Sequence, residues 1–566
     1  MRILTAIVAI VLGAAALVAG IGQKTFWAPS ETVTAAIPGS VEAAPLTVIE
    51  SGVNDVNEDP IEITIKGDGE FLLALGRSSD VDAWVGDASV NRVTEVDTEE
   101  RVLKTVHEGS EDEVPNPKHS DLWVAKDTVD GETVYTWTEP AEGEWSLLVA
   151  ADGSDPAPTD ISVEWPNNAT TPFALGLIIV GALLVLFGLL RLVWPSKKTG
   201  NGARATNDDT REVPQVKGPK GGVAKRLTAV GAMAVLTLSG VTAAHATEES
   251  EPSDASASAD APEGTDGEGG ESEAHPVLLE MQLERILSGV SRAIEAGDED
   301  LDASLLEGRL GGDALSDRRS NYKQISDEVD GVKPLEPVVA GPVRTSAVTT
   351  TTDWPRTVLA VTGEESPRIL TLTQKDPRSN YKLTQNVEML AGTSFPGIVI
   401  GDTSIRTLDL SDGSGLQTDP EDATVQLRRF LNNPEVEQKD MFAESPYIEA
   451  LQKAQNQAKK NAEDEASVEY KRFIDEDSIH AVSTPDGGAL VTVSMESVMI
   501  TEPLDGGTVS WEDKKHQDLA GTDETTGTAK FSYAESFALY VPASGSDDKI
   551  QVIAADSELQ KIDIDE

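Results

Sequence analysis

The pentapeptide Arg-Ser-Asn-Tyr-Lys occurs twice, at Arg319 to Lys323 and again at Arg378 to Lys382. Side by side in an acidic chain, two sets of guanidinium, phenol and ammonium would make a local site for an anion or a sugar acid. That makes Arg319, Tyr322, Arg378 and Tyr381 candidate ligand-binding residues. The competing reading makes the first copy a helix end and the second a turn into a strand. Four tryptophans, Trp84, Trp123, Trp137 and Trp145, crowd one stretch of a chain that is only 5% aromatic. Indole faces stack on sugars when exposed and fill the core of a small β-domain when they are not. Trp137 and Trp145 sit inside apolar strand patterns and read as core, which leaves Trp123 as the candidate for carbohydrate contact.

Other chemistry is harder to place. Asp298, Asp300 and Asp302 copy the first ligands of a calcium loop, but Ala303 stands where that loop needs glycine and Arg309 where it needs its closing glutamate. A loop between helices fits better. The six histidines (His107, His119, His245, His275, His480, His516) occur singly, none at the i, i+4 spacing of zinc hydrolases. No phosphate-cradling loop, dinucleotide fingerprint or nucleophile elbow occurs, and Gly413-Ser414-Gly415 has the composition of a turn. No cofactor, metal ligand or catalytic residue is therefore assigned. A carboxylate pair for glycoside hydrolysis would need two of 98 acidic side chains to converge, and spacing does not say which.

Those acids face 45 basic residues, a formal charge of -53 that repels nucleic acid and anionic headgroups. The absence of cysteine removes disulfides, thiolate nucleophiles and Cys-ligated metals together. Such a chain holds itself together by packing alone, as is common in the envelopes of Gram-positive bacteria. Its 566 residues suggest two to four folded units.

Three apolar segments organise the rest. Ile3 to Ile21 has no charge, follows Arg2 and precedes Lys24 and Phe26-Trp27; it is long enough to span and reads as an uncleaved anchor (1–23). Phe173 to Leu190 is the second span, within 172–194, with Arg191 and Trp194 at its end. The third is Leu227 to Ala243, preceded by Lys225-Arg226 and ending in Ala244-His245-Ala246, so that 227–246 has the grammar of an export signal in mid-chain. Between Arg191 and Arg226 there are nine basic residues and three acids, whereas Lys24 to Thr171 holds eight basic and 31 acidic residues. The positive-inside bias puts the loop 195–226 in the cytoplasm and 25–170 outside. The third segment then returns the chain outward, and everything beyond it is external too. Residues 248–275 carry ten acids and no basic residue, so the linker 247–275 is expected to be a disordered, self-repelling tether.

Residues 25–170 read as an antiparallel β-sandwich: Ile61, Ile63 and Ile65 alternate with polar residues, and Phe71 to Leu75, Thr133 to Trp137, Trp145 to Ala150 and Ile161 to Val163 follow. A short helix is expected over Asp80 to Val85, capped by Ser79. The series Glu70 to Gly76, Asp80 to Trp84, Thr133 to Trp137 and Gly143 to Ser154, followed by a spanning helix, resembles an ectodomain repeated among actinobacterial membrane proteins of unassigned function. That resemblance covers about 150 residues and carries no catalytic residue over.

Beyond the linker, Leu279, Leu283, Ile286, Leu287, Val290 and Ile294 form one stripe of a helix. Strands are expected at Arg356 to Thr362, Arg368 to Thr373 and Tyr381 to Met389, the last with Tyr381, Leu383, Gln385, Val387 and Met389 on one face. The order then restarts, with helices over Ala423 to Leu431 and Tyr447 to Phe473 and strands over Ala489 to Met499, Ala529 to Val541 and Ile550 to Ala554. Helices followed by a meander, twice, predict an α+β region of two halves, 276–400 and 401–566, each of the cystatin or nuclear-transport-factor shape. Asp317 to Tyr322, Arg356 to Thr362 and Ile369 to Gln374 resemble the C-terminal region of secreted actinobacterial proteins, again without an implied mechanism.

Together these features read as a multidomain protein of the bacterial cell membrane, with three passes and both large regions extracytoplasmic. Its external domains are expected to bind an envelope protein or cell-wall glycan without chemistry of their own. The alternative is an accessory to, or catalyst of, cell-wall glycan transfer or hydrolysis at the outer face. An apolar cleft with paired carboxylates of perturbed pKa would favour that alternative. A sensor would need a cytoplasmic output domain, and a polar loop of about 30 residues is too short to be one.

Overall fold

A computed structural model describes residues 2–193 and 274–565 other than 40, 58, 168, 170 and 434. The third apolar segment, the basic loop before it and all but the end of the acidic linker lie outside the described residues. Along the first stretch run helix α1 (Arg2–Lys24), strands β1 (Thr32–Ala36), β2 (Leu46–Ile49) and β3 (Glu62–Arg77), helix α2 (Ser78–Val85), strands β4 (Val90–Asp97), β5 (Val102–Glu108), β6 (Ala125–Thr136), β7 (Trp145–Ala150) and β8 (Asp160–Pro166), and helix α3 (Pro172–Val193). The chain divides into two compact units, one formed by residues 1–28 with 171–271 and the other by residues 29–170 with 272–566.

In the first unit the two apolar helices pack antiparallel. Each is 22 residues long as a candidate span, with mean hydropathy 2.6 and 2.9. Small residues repeat every seventh position on both, Ala6, Gly13 and Gly20 against Ala174, Gly181 and Gly188, and let the backbones touch. A Cβ at Gly13 would stand 2.7 Å from the Gly181 carbonyl oxygen, and one at Gly181 equally close to that of Gly13. Packing of this kind holds apolar helices together where burial from water supplies no force. Gly13→Leu with Gly181→Leu is expected to weaken the pair by about 1–3 kcal/mol. With cysteines introduced at Ala6 and Leu189, a thiol cross-linker should join the helices in the parent and fail to do so in the double variant.

In the second unit, β1 to β8 make a single sheet of order β6-β3-β7-β2-β4-β5-β1-β8, with β8 pairing back onto β3. The closure depends on the length of β3: Glu62 to Lys66 pair with β8 and Leu72 to Arg77 with β7, while β6 takes the other edge along both stretches. A bulge between Lys66 and Glu70 bends the strand between these two pairings. Instead of a wholly antiparallel sandwich the sheet is mixed, because β1–β5 and β2–β4 run parallel. Its inside packs Ile63, Ile65, Leu73, Leu75, Trp137 and Trp145, and its outside face packs Leu72, Ala74, Leu148, Trp84 and Trp123 under α2 and the loop before β6. Burial on both faces is why Phe71 to Leu75 is apolar without alternation. Helix α2 begins at Ser78, so Ser79 lies within it and no side chain caps it.

The C-terminal stretch runs α4 (Glu280–Asp300), α5 (Gly312–Ser326), β9 (Thr345–Val348), β10 (Arg356–Thr362), β11 (Arg368–Gln374) and β12 (Lys382–Glu388). It continues with α6 (Pro420–Asn432), α7 (Pro446–Ala462), β13 (Ala466–Ser483), β14 (Ala489–Pro503), β15 (Val509–Ser510), α8 (Lys514–Ala520), β16 (Glu524–Thr525), β17 (Thr528–Val541) and β18 (Gln551–Asp565). Two antiparallel meanders, β12-β11-β10-β9 and β13-β14-β17-β18, each follow a pair of helices. The expected helix from Tyr447 to Phe473 is corrected: it ends at Ala462, and Ala466 onward is strand. Glu463-Asp464-Glu465 place negative charge at the C-terminal end of the helix dipole, and Val468, Tyr470 and Ile474 then recur with period two. Arg472 interrupts that pattern with a charge and so disguises the strand, yet its side chain is fully buried. Its guanidinium is held by both oxygens of Glu535 at 2.6 and 2.9 Å, and it donates to the Leu431 carbonyl at the end of α6 at 3.1 Å.

Candidate functional site

The two halves of the C-terminal region meet at a cleft of about 280 Å³ lined on one side by α5 and on the other by β17 and β18. Gly312 opens α5 at φ +49, a conformation that suits glycine, where a Cβ would come within 3.1 Å of the Thr384 carbonyl oxygen. The helix then presents Asp313 and Asp317, four residues apart, to the cleft. Across from them stand Asp556 and Glu558, two apart on β18 and so on one face of it. Asp313 and Asp317 also line an adjoining cavity of about 340 Å³ with Asp475, Ser494, Glu496, Tyr533 and Lys561.

The cations at this site are already engaged. Arg368 on β11 donates to Asn386 Oδ1 at 2.7 Å and to Asp556 Oδ2 at 2.5 Å, tying one half to the other. Arg318 donates to both oxygens of Asp298 at 2.6 and 2.9 Å and to the Glu336 carbonyl at 2.6 Å. The Gln560 amide donates to Asp317 Oδ1 at 3.1 Å, and the Gln324 amide donates to the Leu559 and Gln560 carbonyls, both at 3.0 Å. Four carboxyl groups thus share a partly buried space with one guanidinium bonded to them.

Electrostatics follow from that excess. Burial, then the neighbouring Asp313, Glu558 and Asp556, push Asp317 up to about 7. Asp313 is raised by burial and by Asp475, against hydrogen bonds from Ser494 and Ser536. Asp556 is raised by burial against the pull of Arg368. Burial pushes the His480 imidazole down to about 4, so at neutral pH it adds no cation beside Asp475. The arrangement can keep a proton on Asp317 near neutrality and accept a cationic group in its place. The signal was present in the sequence as Asp313…Asp317 and Asp556…Glu558, at helix and strand spacings; their convergence was not.

The residues singled out from sequence lie elsewhere. Trp123 is 0% exposed, its indole N–H donates to the Pro117 carbonyl at 2.6 Å, and its ring packs 5.8 Å from that of Trp84, so no face is open to a sugar. Trp84, Trp137 and Trp145 are buried too, as the core reading expects. The side chains of the two pentapeptides engage different partners. Tyr322 is buried and donates to Asp298 Oδ1 at 2.6 Å, and exposed Arg319 meets Glu307 at 3.4 Å. Arg378 donates to the Trp84 and Val85 carbonyls that end α2, each at 2.9 Å, and to Glu111 at 2.9 Å. Tyr381 is fully buried, its backbone N–H donating to Asp121 Oδ2 at 3.0 Å. The asparagines of the two copies act alike, each accepting from a backbone N–H: Asn321 Oδ1 from that of Leu335, and Asn380 Oδ1 from that of Asp121. Asp298 serves Arg318 and Tyr322, and Asp302 caps the turn at Ser304, which accounts for two of the three aspartates of the calcium-like run. The chain matches no protein-family model, no curated protein and no solved structure.

Proposed function

We propose that this protein is held in the cell membrane by three passes and presents residues 29–170 and 272–566 together on the outer face, as a non-enzymatic unit that binds an envelope protein or cell-wall glycan. The observation that carries this reading is that the two stretches belong to one compact unit although α3 leaves the first of them. If α3 crosses the membrane, the chain between Val193 and Ser272 must cross back for the two stretches to pack, and Leu227 to Ala243 is the apolar run available to do so. The basic loop before that run and the acidic stretches flanking the apolar helices support this orientation. The absence of native cysteine makes each introduced thiol a sole reporter. In intact cells an impermeant maleimide should label Thr98→Cys and Ser467→Cys, and Thr199→Cys only after lysis. Labelling of Thr98→Cys with protection of Ser467→Cys would put the two stretches on opposite sides and end the proposal.

One observation supports a second reading, catalysis of glycan hydrolysis or transfer. A carboxylic acid that keeps its proton near neutrality among other carboxyl groups is a feature of glycosidase acids, and Asp317, facing Asp556 and Glu558 across the cleft, has that character. Incubation with purified cell-wall glycan separates the two. Retention of glycan without new reducing ends supports binding. Release of reducing ends that stops in Asp317→Asn while retention persists supports catalysis.

A further inference from the structure

Residues 272–566 meet residues 29–170 across a face built as separate molecules build one. Its ion pairs each set a C-terminal arginine against a β-region carboxylate, and most of its other hydrogen bonds run the same way, the Asp121 N–H donating to Asn380 Oδ1 at 3.2 Å being the reverse case. Arg309 lies on Asp121, contacting both carboxylate oxygens at 2.5 and 3.1 Å. Arg285 donates to the Trp123 and Val124 carbonyls, and the Gln282 amide to those of Asp121 and Leu122. Arg378 holds the end of α2 and Glu111. At the centre Arg356, 1% exposed, donates to Asp80 Oδ1 at 2.7 Å, with Asp80 2% exposed and the Trp354 ring 3.8 Å from the guanidinium carbon.

What does not cross the face matters equally. Among the described residues no sheet is shared, since β1 to β8 close on themselves and the other strands pair within the C-terminal region. The hydrophobic clusters likewise keep to one side or the other, with Leu279 and Trp354 as the partly buried residues that reach over. Separate cores joined by arginine-rich polar contacts are the anatomy of an association, in which a few desolvated cations carry most of the energy.

We propose that residues 29–170 are a docking receptor for residues 272–566, holding them as a non-covalent partner that stays bound when the chain between is cut. Cleavage in the signal-like or acidic stretch then yields a two-part complex and not a shed fragment. The test uses the full chain with a protease site placed within 255–260 and a C-terminal affinity tag. The protein is solubilised in detergent, cut to completion and captured by the tag. The N-terminal fragment is expected to co-elute in equal amount; its appearance in the flow-through would overturn the proposal. Arg309→Ala with Arg378→Ala should lower co-elution about ten-fold or more, whereas Arg319→Ala, whose partner Glu307 is on its own side, should leave it unchanged. Full co-elution of the double variant would refute the arginine clasp, and if that variant does not fold, the cut parent chain decides alone.

Discussion

Arg472→Met is expected to destabilise the second unit by about 3–5 kcal/mol, because it leaves Glu535 charged, buried and unpaired. Glu535 is 3% exposed and draws both of its bonds to β13 from this guanidinium. The Leu431 carbonyl at the end of α6 would lose one donor as well, keeping that of the Gln455 amide at 3.2 Å. Replacing both partners, Arg472→Met with Glu535→Leu, removes the stranded charge and should recover most of the loss. Chemical unfolding of the detergent-solubilised chain, with hydrogen exchange read on β13 and β17, measures all three. A single variant that unfolds at the parent's denaturant concentration would show that the pair contributes nothing.

Asp317→Asn is expected to remove a pH dependence and to stabilise the fold above neutrality. The carboxyl of Asp317 stands at about 7 in the folded chain against 3.8 ordinarily, so the folded state holds this proton more tightly than the unfolded state between those values. The stability it confers is therefore complete below about pH 4 and lost as pH rises through 7, a change of about 2–4 kcal/mol. Asparagine imitates the neutral acid at every pH and keeps the oxygen that accepts from Gln560. Parent and variant should match near pH 4 and diverge by about that amount at pH 8, with the variant the more stable. Asp313 and Asp556 are present in both chains, so the difference reads Asp317 together with its coupling to them. Parallel stability curves would show that the crowding of carboxyls is relieved in solution.

Legibility followed periodicity. The stripe from Leu279 to Ile294 became α4, and Arg356 to Thr362, Arg368 to Thr373 and Tyr381 to Met389 became β10, β11 and β12 almost residue for residue, the helix burying one stripe against one core and the strands lying between two. Elements that break the alternation were harder to see. Strand β2 is four residues buried on both sides, β9 is as short, and β13 carries an arginine where a buried apolar residue would be expected. The site was less legible than the fold. The repeated pentapeptide stands out as rare chemistry, yet Arg378 and Tyr381 serve docking and Tyr322 serves internal packing. The carboxyls that do converge come from segments more than 200 residues apart, and in a chain with 98 acids no local spacing sets them apart.

The self-closing sheet also fixes an order of events during synthesis. All eight of its strands are complete by Pro166, so the β-region can form before any of its docking partner has been made. Until Arg309 and Arg356 arrive, Asp121 and Asp80 face water on a finished domain, and the contact between Asp80 and Arg356 spans 276 residues of chain. The early product is thus a closed but incomplete sheet, and during that interval its acidic, tryptophan-backed face is open to any basic surface nearby. The few arginines that match this face are made only after it is complete.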